Sequence, residues 1–155
     1  MTGPEVLTVA TLLVGGFTAC AEFGSYAFVH PVIRRLPVEH HVAVEQGLVR
    51  TFGRFMPVAM TVSLLLISWW SAVVVTDLPV AELVAVVVWA IGLMTTILVN
   101  VGINIRTARW TDGAADPERW RAMRARWEVF QGVRSWAFLV SFAAVCLATG
   151  LSVGG

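Results

Sequence analysis

Four long apolar runs, separated by polar connectors, set the reading of this chain. They cover about residues 5–29, 55–75, 83–105 and 133–153. Each is long enough to cross ~30 Å of hydrocarbon as a helix rising ~1.5 Å per residue. The connector Thr76 to Glu82 is short, which makes the second and third runs antiparallel neighbours. The expected fold class is an all-α membrane protein, a single four-transmembrane-helix antiparallel bundle with longer connectors at 30–54 and 106–132.

Local signals place the ends. Pro4 suits a helix start. His30-Pro31 is expected to close the first run, because a residue before proline is pushed out of the α region. Pro57 falls in the first turn of the second run, where it is tolerated. Between Pro37 and Arg54 the spacing suits an interfacial helix with Val42, Leu48, Val49 and Phe52 on its apolar side. Asp116-Pro117-Glu118 starts a helix that continues into the fourth run, and Gly150–Gly155 reads as a frayed end. Trp69-Trp70 suits an interfacial aromatic belt. Gly16, Cys20 and Gly24 form a ridge for close helix approach, and both Cys20 and Cys146 read as small packing residues. The opening M-T-G-P-E lacks the positive region of a signal peptide, so no cleavage is expected.

Polar residues inside the runs carry the candidate chemistry. Glu22, Tyr26 and His30 recur every four residues in the first run. A carboxyl group in lipid needs a partner or a proton, so Glu22 marks a functional site. In the third run Gly92, Thr96, Asn100 and Asn104 form a small and polar stripe facing the bundle interior. Asn100 fits interhelical hydrogen bonding, and Asn104 fits that or ligand contact. In the fourth, Trp127, Gln131, Arg134, Phe138 and Ser141 share one helical face. Arg134 either joins that interior or snorkels to headgroups. His40-His41 are adjacent and diverge on a helix, which reads as a solvated loop rather than a metal site.

Composition sharpens this picture. The chain is 155 residues long, 57% hydrophobic and 14% charged, against ~25% charged in soluble domains. All eleven basic residues are arginines, and all fall in or beside the first and third connectors. The positive-inside rule places those connectors in the cytoplasm and both termini on the opposite side. His30, Arg54, Asn104, Trp127, Gln131 and Arg134 then converge near the cytoplasmic ends of the four helices, with Glu22 deeper. The Arg and Trp residues between Arg119 and Trp127 interleave beside a span, where they anchor at headgroups, so nucleic acid is not an expected partner.

Four short blocks carry a family resemblance. E-F-G-S-Y-A-F-V-H-P-V-I-R-R-L-P (Glu22 to Pro37), G-R-F-M-P (Gly53 to Pro57), I-N-I-R-T-A-R-W (Ile103 to Trp110) and R-A-R-W-E-V-F-Q-G-V-R (Arg124 to Arg134) occur in order. Together they resemble the conserved blocks of the anthrone oxygenase-like (DUF1772) membrane proteins. The chain departs from that pattern at Gln131-Gly132, where His-Arg is common, and at Ile105, where a second Asn is common.

The resemblance implies an oxygenase that converts an anthrone-like aromatic polyketide to a quinone with molecular oxygen as co-substrate and no organic cofactor. Such chemistry needs a base, donors for the resulting anion and a dry pocket. Glu22 is the candidate base and His30 a second base or proton carrier. Tyr26 can stack on a flat substrate, and Asn104, Gln131 and Arg134 can hold its oxygens. Arg54, Asn100 and Trp127 complete the candidate binding set. Iron or copper held by Glu22, His30 and Gln131 is a minority alternative, disfavoured because Glu22 and His30 are two turns apart. The competing class is a non-catalytic binder of a lipid, quinone or other hydrophobic ligand, or an accessory subunit of a membrane complex. A proton-coupled transporter fits less well, as one four-helix copy holds no inverted repeat. The lipid bilayer and a hydrophobic aromatic small molecule are the expected partners, and assembly as a homo-oligomer stays open.

Overall fold

A computed structural model of the protein describes residues 2–74, 79–111 and 115–153. No strand occurs among them. Among the described residues, four helices are long and apolar enough to cross a membrane: Gly3–Ile33, Phe52–Val73, Val80–Ala108 and Pro117–Leu151. They define an all-α four-helix bundle of an integral, multi-pass membrane protein. A shorter helix, Val38–Arg50, joins the first two spans. The first span packs on the second and fourth, and the third packs on the second and fourth, closing a ring. The expected end of the second run at Val75, Asp77 in the next connector, and Gly154 and Gly155 lie outside the described residues.

The bundle is apolar outside and mixed inside. Leu13, Leu65, Leu98 and Leu147, one from each span, are all exposed, as suits side chains that meet lipid tails. The core is built around Met56, Met60, Trp70, Trp89 and Phe138. Trp89 donates its Nε1–H to the Met60 carbonyl at 2.9 Å. Glycines let the fourth span come close: a Cβ on Gly92 would lie 2.7 Å from Phe138, and one on Gly16 2.8 Å from Phe142.

Several boundaries differ from expectation. The first helix does not stop at His30-Pro31. A π turn, Ser25–Val29, lies immediately upstream, and the His30 N–H bonds the Ser25 carbonyl. The widened turn gives the Pro31 ring room that an α turn lacks, so the helix resumes to Ile33. A second π turn, Thr96–Asn100, interrupts the third span. The last helix runs unbroken from Pro117 to Val153, so Gly150 lies inside it.

Some side chains also face differently. Trp70 is buried and donates to Thr8 Oγ1 at 3.2 Å, while Trp69 is exposed. Cys20 and Cys146 face outward rather than pack inside. Gly16 serves the expected close approach, but a Cβ on Gly24 would meet nothing within 4 Å.

Candidate functional site

Two buried carboxylates, each paired with an arginine of the last helix, border one cavity of about 200 Å³. All four spans and the Val38–Arg50 helix contribute to its wall. Glu22, His30, Glu45, Asn104, Trp127 and Arg134 form its polar side, and Phe52, Met56 and Met60 lie on its apolar side.

The inner pair is Glu22 with Arg134. Glu22 is fully buried. Its Oε2 accepts from Arg134 Nη2 at 2.7 Å and from Gln131 Nε2 at 2.9 Å. Arg134 also donates to Gln131 Oε1 through Nη2, and to Thr96 Oγ1 at 3.3 Å through Nη1. Ser135 Oγ donates to the Glu22 carbonyl at 3.2 Å. Helical spacing makes this possible: positions 131, 134 and 135 fall on one face, opposite the first span. Two polar atoms remain buried without a hydrogen-bond partner among the described residues, Glu22 Oε1 and Arg134 Nε. One is an acceptor and the other a donor, and both residues line the cavity.

The outer pair is Glu45 with Arg124, nearer the arginine-rich connectors. Arg124 Nη2 lies 2.7 Å from Glu45 Oε2. His30 Nδ1 and His41 Nε2 approach the other oxygen, Oε1, at 3.3 and 3.5 Å. These are ion-pair contacts whose alignment falls short of a hydrogen bond. Burial raises the Glu45 pKa, but the contacts with His30 and His41 and the Arg124 charge outweigh it and hold the carboxyl down to about 2. Trp127 packs against the outer pair. Its Nε1–H donates to Asn104 Oδ1 at 2.8 Å, its ring lies 4.6 Å from that of His30, and the Arg124 guanidinium sits over it at 4.1 Å.

The sequence-selected residues divide into groups. Glu22, His30, Asn104, Trp127 and Arg134 meet at the cavity. Gln131 is buried against Glu22, outside the cavity wall. Asn100 is buried too, with both polar atoms of its amide unpartnered among the described residues. Tyr26 departs from the stripe it shares in sequence. It is half-buried, lies within 3.0 Å of where a Gly132 Cβ would be, and borders a separate cleft with His30, Arg34 and Glu128. An extra residue in the π turn swings it off the Glu22 face. Arg54 is exposed and does not line the cavity, although Gly53 beside it does.

The expectation of a solvated His40-His41 pair holds for His40 alone; His41 is buried on Glu45. Arg124, expected at headgroups, is buried as well. Sequence reasoning thus missed Glu45, His41 and Arg124 as site residues. A signal existed: Val38, His41, Val42 and Glu45 recur at helical spacing on one face, and all four are buried.

Of the set considered for iron or copper, Gln131 bonds Glu22 while His30 contacts Glu45. No group of three or more His, Cys, Asp or Glu side chains suited to a metal ion occurs among the described residues. No protein family model, curated protein or solved structure matches this chain.

Proposed function

We propose that this protein is a membrane-embedded, cofactor-independent oxygenase of the anthrone oxygenase-like type, oxidising a flat, weakly acidic aromatic substrate to a quinone with dioxygen. The observation that carries the reading is that Glu22 Oε1, an acceptor, and Arg134 Nε, a donor, are buried without partners among the described residues, on two side chains that line the cavity. A base next to a cationic donor is what removing a proton near a carbonyl requires. The four sequence blocks resembling that family supply the substrate class. By the positive-inside rule the arginine-rich end is cytoplasmic and both termini lie on the opposite side.

In this mechanism Glu22 Oε1 takes a proton from the substrate methylene. The Arg134 guanidinium stabilises the oxygen on which negative charge develops. The electron-rich anion passes one electron to dioxygen, the two radicals join through a new C–O bond, and the peroxide anion recovers the proton from Glu22. The apolar wall of Phe52, Met56 and Met60 keeps water from the anion.

A second reading is favoured by size and by the inner pair itself. The cavity, at about 200 Å³, is smaller than the ~300–1,000 Å³ usual for drug-sized ligands. Glu22 is also clamped by Gln131 and Arg134, as a structural ion pair would be. This reading makes the protein a binder of a smaller lipid-soluble molecule or a subunit of a membrane complex. Under the oxygenase reading, the cavity widens on its apolar side, at Phe52, Met56 and Met60, to admit three fused rings.

Oxygen uptake by purified protein in detergent, with an anthrone as substrate, separates the two. The oxygenase reading expects protein-dependent uptake of one O₂ per quinone formed. Saturable binding of the anthrone with uptake no faster than the spontaneous rate would establish the binder instead.

A further inference from the structure

We propose that Glu45 is the positioning residue for His30, and that His30 acts in the second half of the reaction, where a bound hydroperoxide becomes a ketone. The proposal rests on the oxygenase reading above.

That reading leaves a chemical gap. After oxygen has added, the carbon still carries one hydrogen and an O–OH group. Forming the carbonyl requires removing that hydrogen and protonating the departing hydroxide. One group that accepts and then returns a proton can do both, and an imidazole is suited to it.

His30 is placed for the task. It is 5% exposed and lines the same cavity as Glu22 and Arg134. Its Nδ1 faces Glu45 Oε1 at 3.3 Å, a contact of the kind that tightens when substrate binds. Glu45 cannot turn away, because Arg124 holds its other oxygen at 2.7 Å. The Trp127 ring packs on the imidazole at 4.6 Å and is itself fixed by Asn104. A proton held on Nδ1 toward the carboxylate leaves the lone pair on Nε2. His41 makes a second ion-pair contact with the same Glu45 oxygen and does not line the cavity.

In the step itself, the remaining C–H bond breaks, its proton passing to His30 Nε2 and its electron pair forming the C=O bond. The O–O bond breaks, and the departing hydroxide takes the proton from Nε2 and leaves as water. His30 ends neutral, as it began. Glu22 and Arg134 serve the oxygen-adding half, and His30 with Glu45 serves the water-losing half.

The test compares oxygen consumed with quinone formed in one turnover by wild type, His30→Gln, Glu45→Gln and Glu45→Asp. Wild type is expected to give one quinone per O₂. His30→Gln and Glu45→Gln are expected to take up O₂ while quinone formation slows by about 100-fold, with a peroxide that oxidises iodide accumulating. Glu45→Asp restores part of the rate. His30→Gln leaves the Glu45–Arg124 pair in place and carries the test alone if Glu45→Gln does not fold. Parallel loss of uptake and quinone in folded His30→Gln, or a ratio unchanged from wild type, overturns the proposal. Failure of the oxygenase reading is separate and visible earlier, as absence of uptake in wild type.

Discussion

The two buried carboxylates are each held at 2.7 Å by an arginine of the same helix, yet their surroundings differ. Glu22 meets fixed partners: a guanidinium, the Gln131 amide and, through its backbone, the Ser135 hydroxyl. Glu45 meets a guanidinium and two imidazoles. An imidazole changes charge in the physiological pH range, and an amide does not. The inner pair is hydrogen-bonded through Glu22 Oε2 and leaves Oε1 unpartnered among the described residues, whereas both oxygens of the outer carboxylate face basic side chains. Similar ion-pair geometry thus stands in two different settings, because the remaining contacts differ.

The largest expected effect breaks the inner pair. Arg134→Met leaves Glu22 buried without its counter-charge and should cost about 3–5 kcal/mol, read from denaturant unfolding in mixed micelles. Removing both charges, as Glu22→Leu with Arg134→Met, should recover most of that loss. A single-variant cost below about 1 kcal/mol would mean that the inner pair is solvated.

The acid limb of stability comes next. The folded-state pKa of Glu45 is depressed from 4.5 to about 2, so its contribution is fully present above pH 4.5 and is lost as pH falls toward 2. The size is about 3 kcal/mol. Glu45→Gln should flatten the wild-type stability curve in that window. An unchanged slope would show that Glu45 is not held by Arg124 and the two imidazoles.

Arg124→Met should cost less than Arg134→Met, about 1–3 kcal/mol, because His30 and His41 still face Glu45. Equal costs would erase the distinction between the pairs. The smallest effect belongs to Trp127. Trp127→Phe keeps the ring but loses the bond to Asn104, an expected change of about 1 kcal/mol. A double-mutant cycle with Arg124→Met should still show coupling, since the guanidinium packs on that ring.

The bundle was legible in the sequence because four uninterrupted apolar runs have few alternatives. Glu22 was legible for the same reason: a carboxyl group stands out in an apolar run. Glu45 did not stand out, because it lies in a charged connector where an acid is ordinary. Only the helical register of Val38, His41, Val42 and Glu45 sets it apart, and burial of that face depends on Trp120 arriving from the last helix. Tyr26 was misplaced because a period of four assumes an unbroken α-helix. The Ser25–Val29 π turn has no clear sequence mark beyond the proline that follows it. Arg54 was misplaced because proximity to a helix end does not fix the direction of a side chain, and it faces outward.

Glu22→Gln is the sharpest probe of the role proposed for Glu22, that of base in an oxygenase cavity. Gln keeps the shape of the side chain and an oxygen for Arg134, but it cannot take up a proton at neutral pH. Oxygen uptake with an anthrone substrate should fall by at least about 100-fold in a variant whose circular dichroism matches wild type. Uptake by that variant at the wild-type rate would rule Glu22 out as the base.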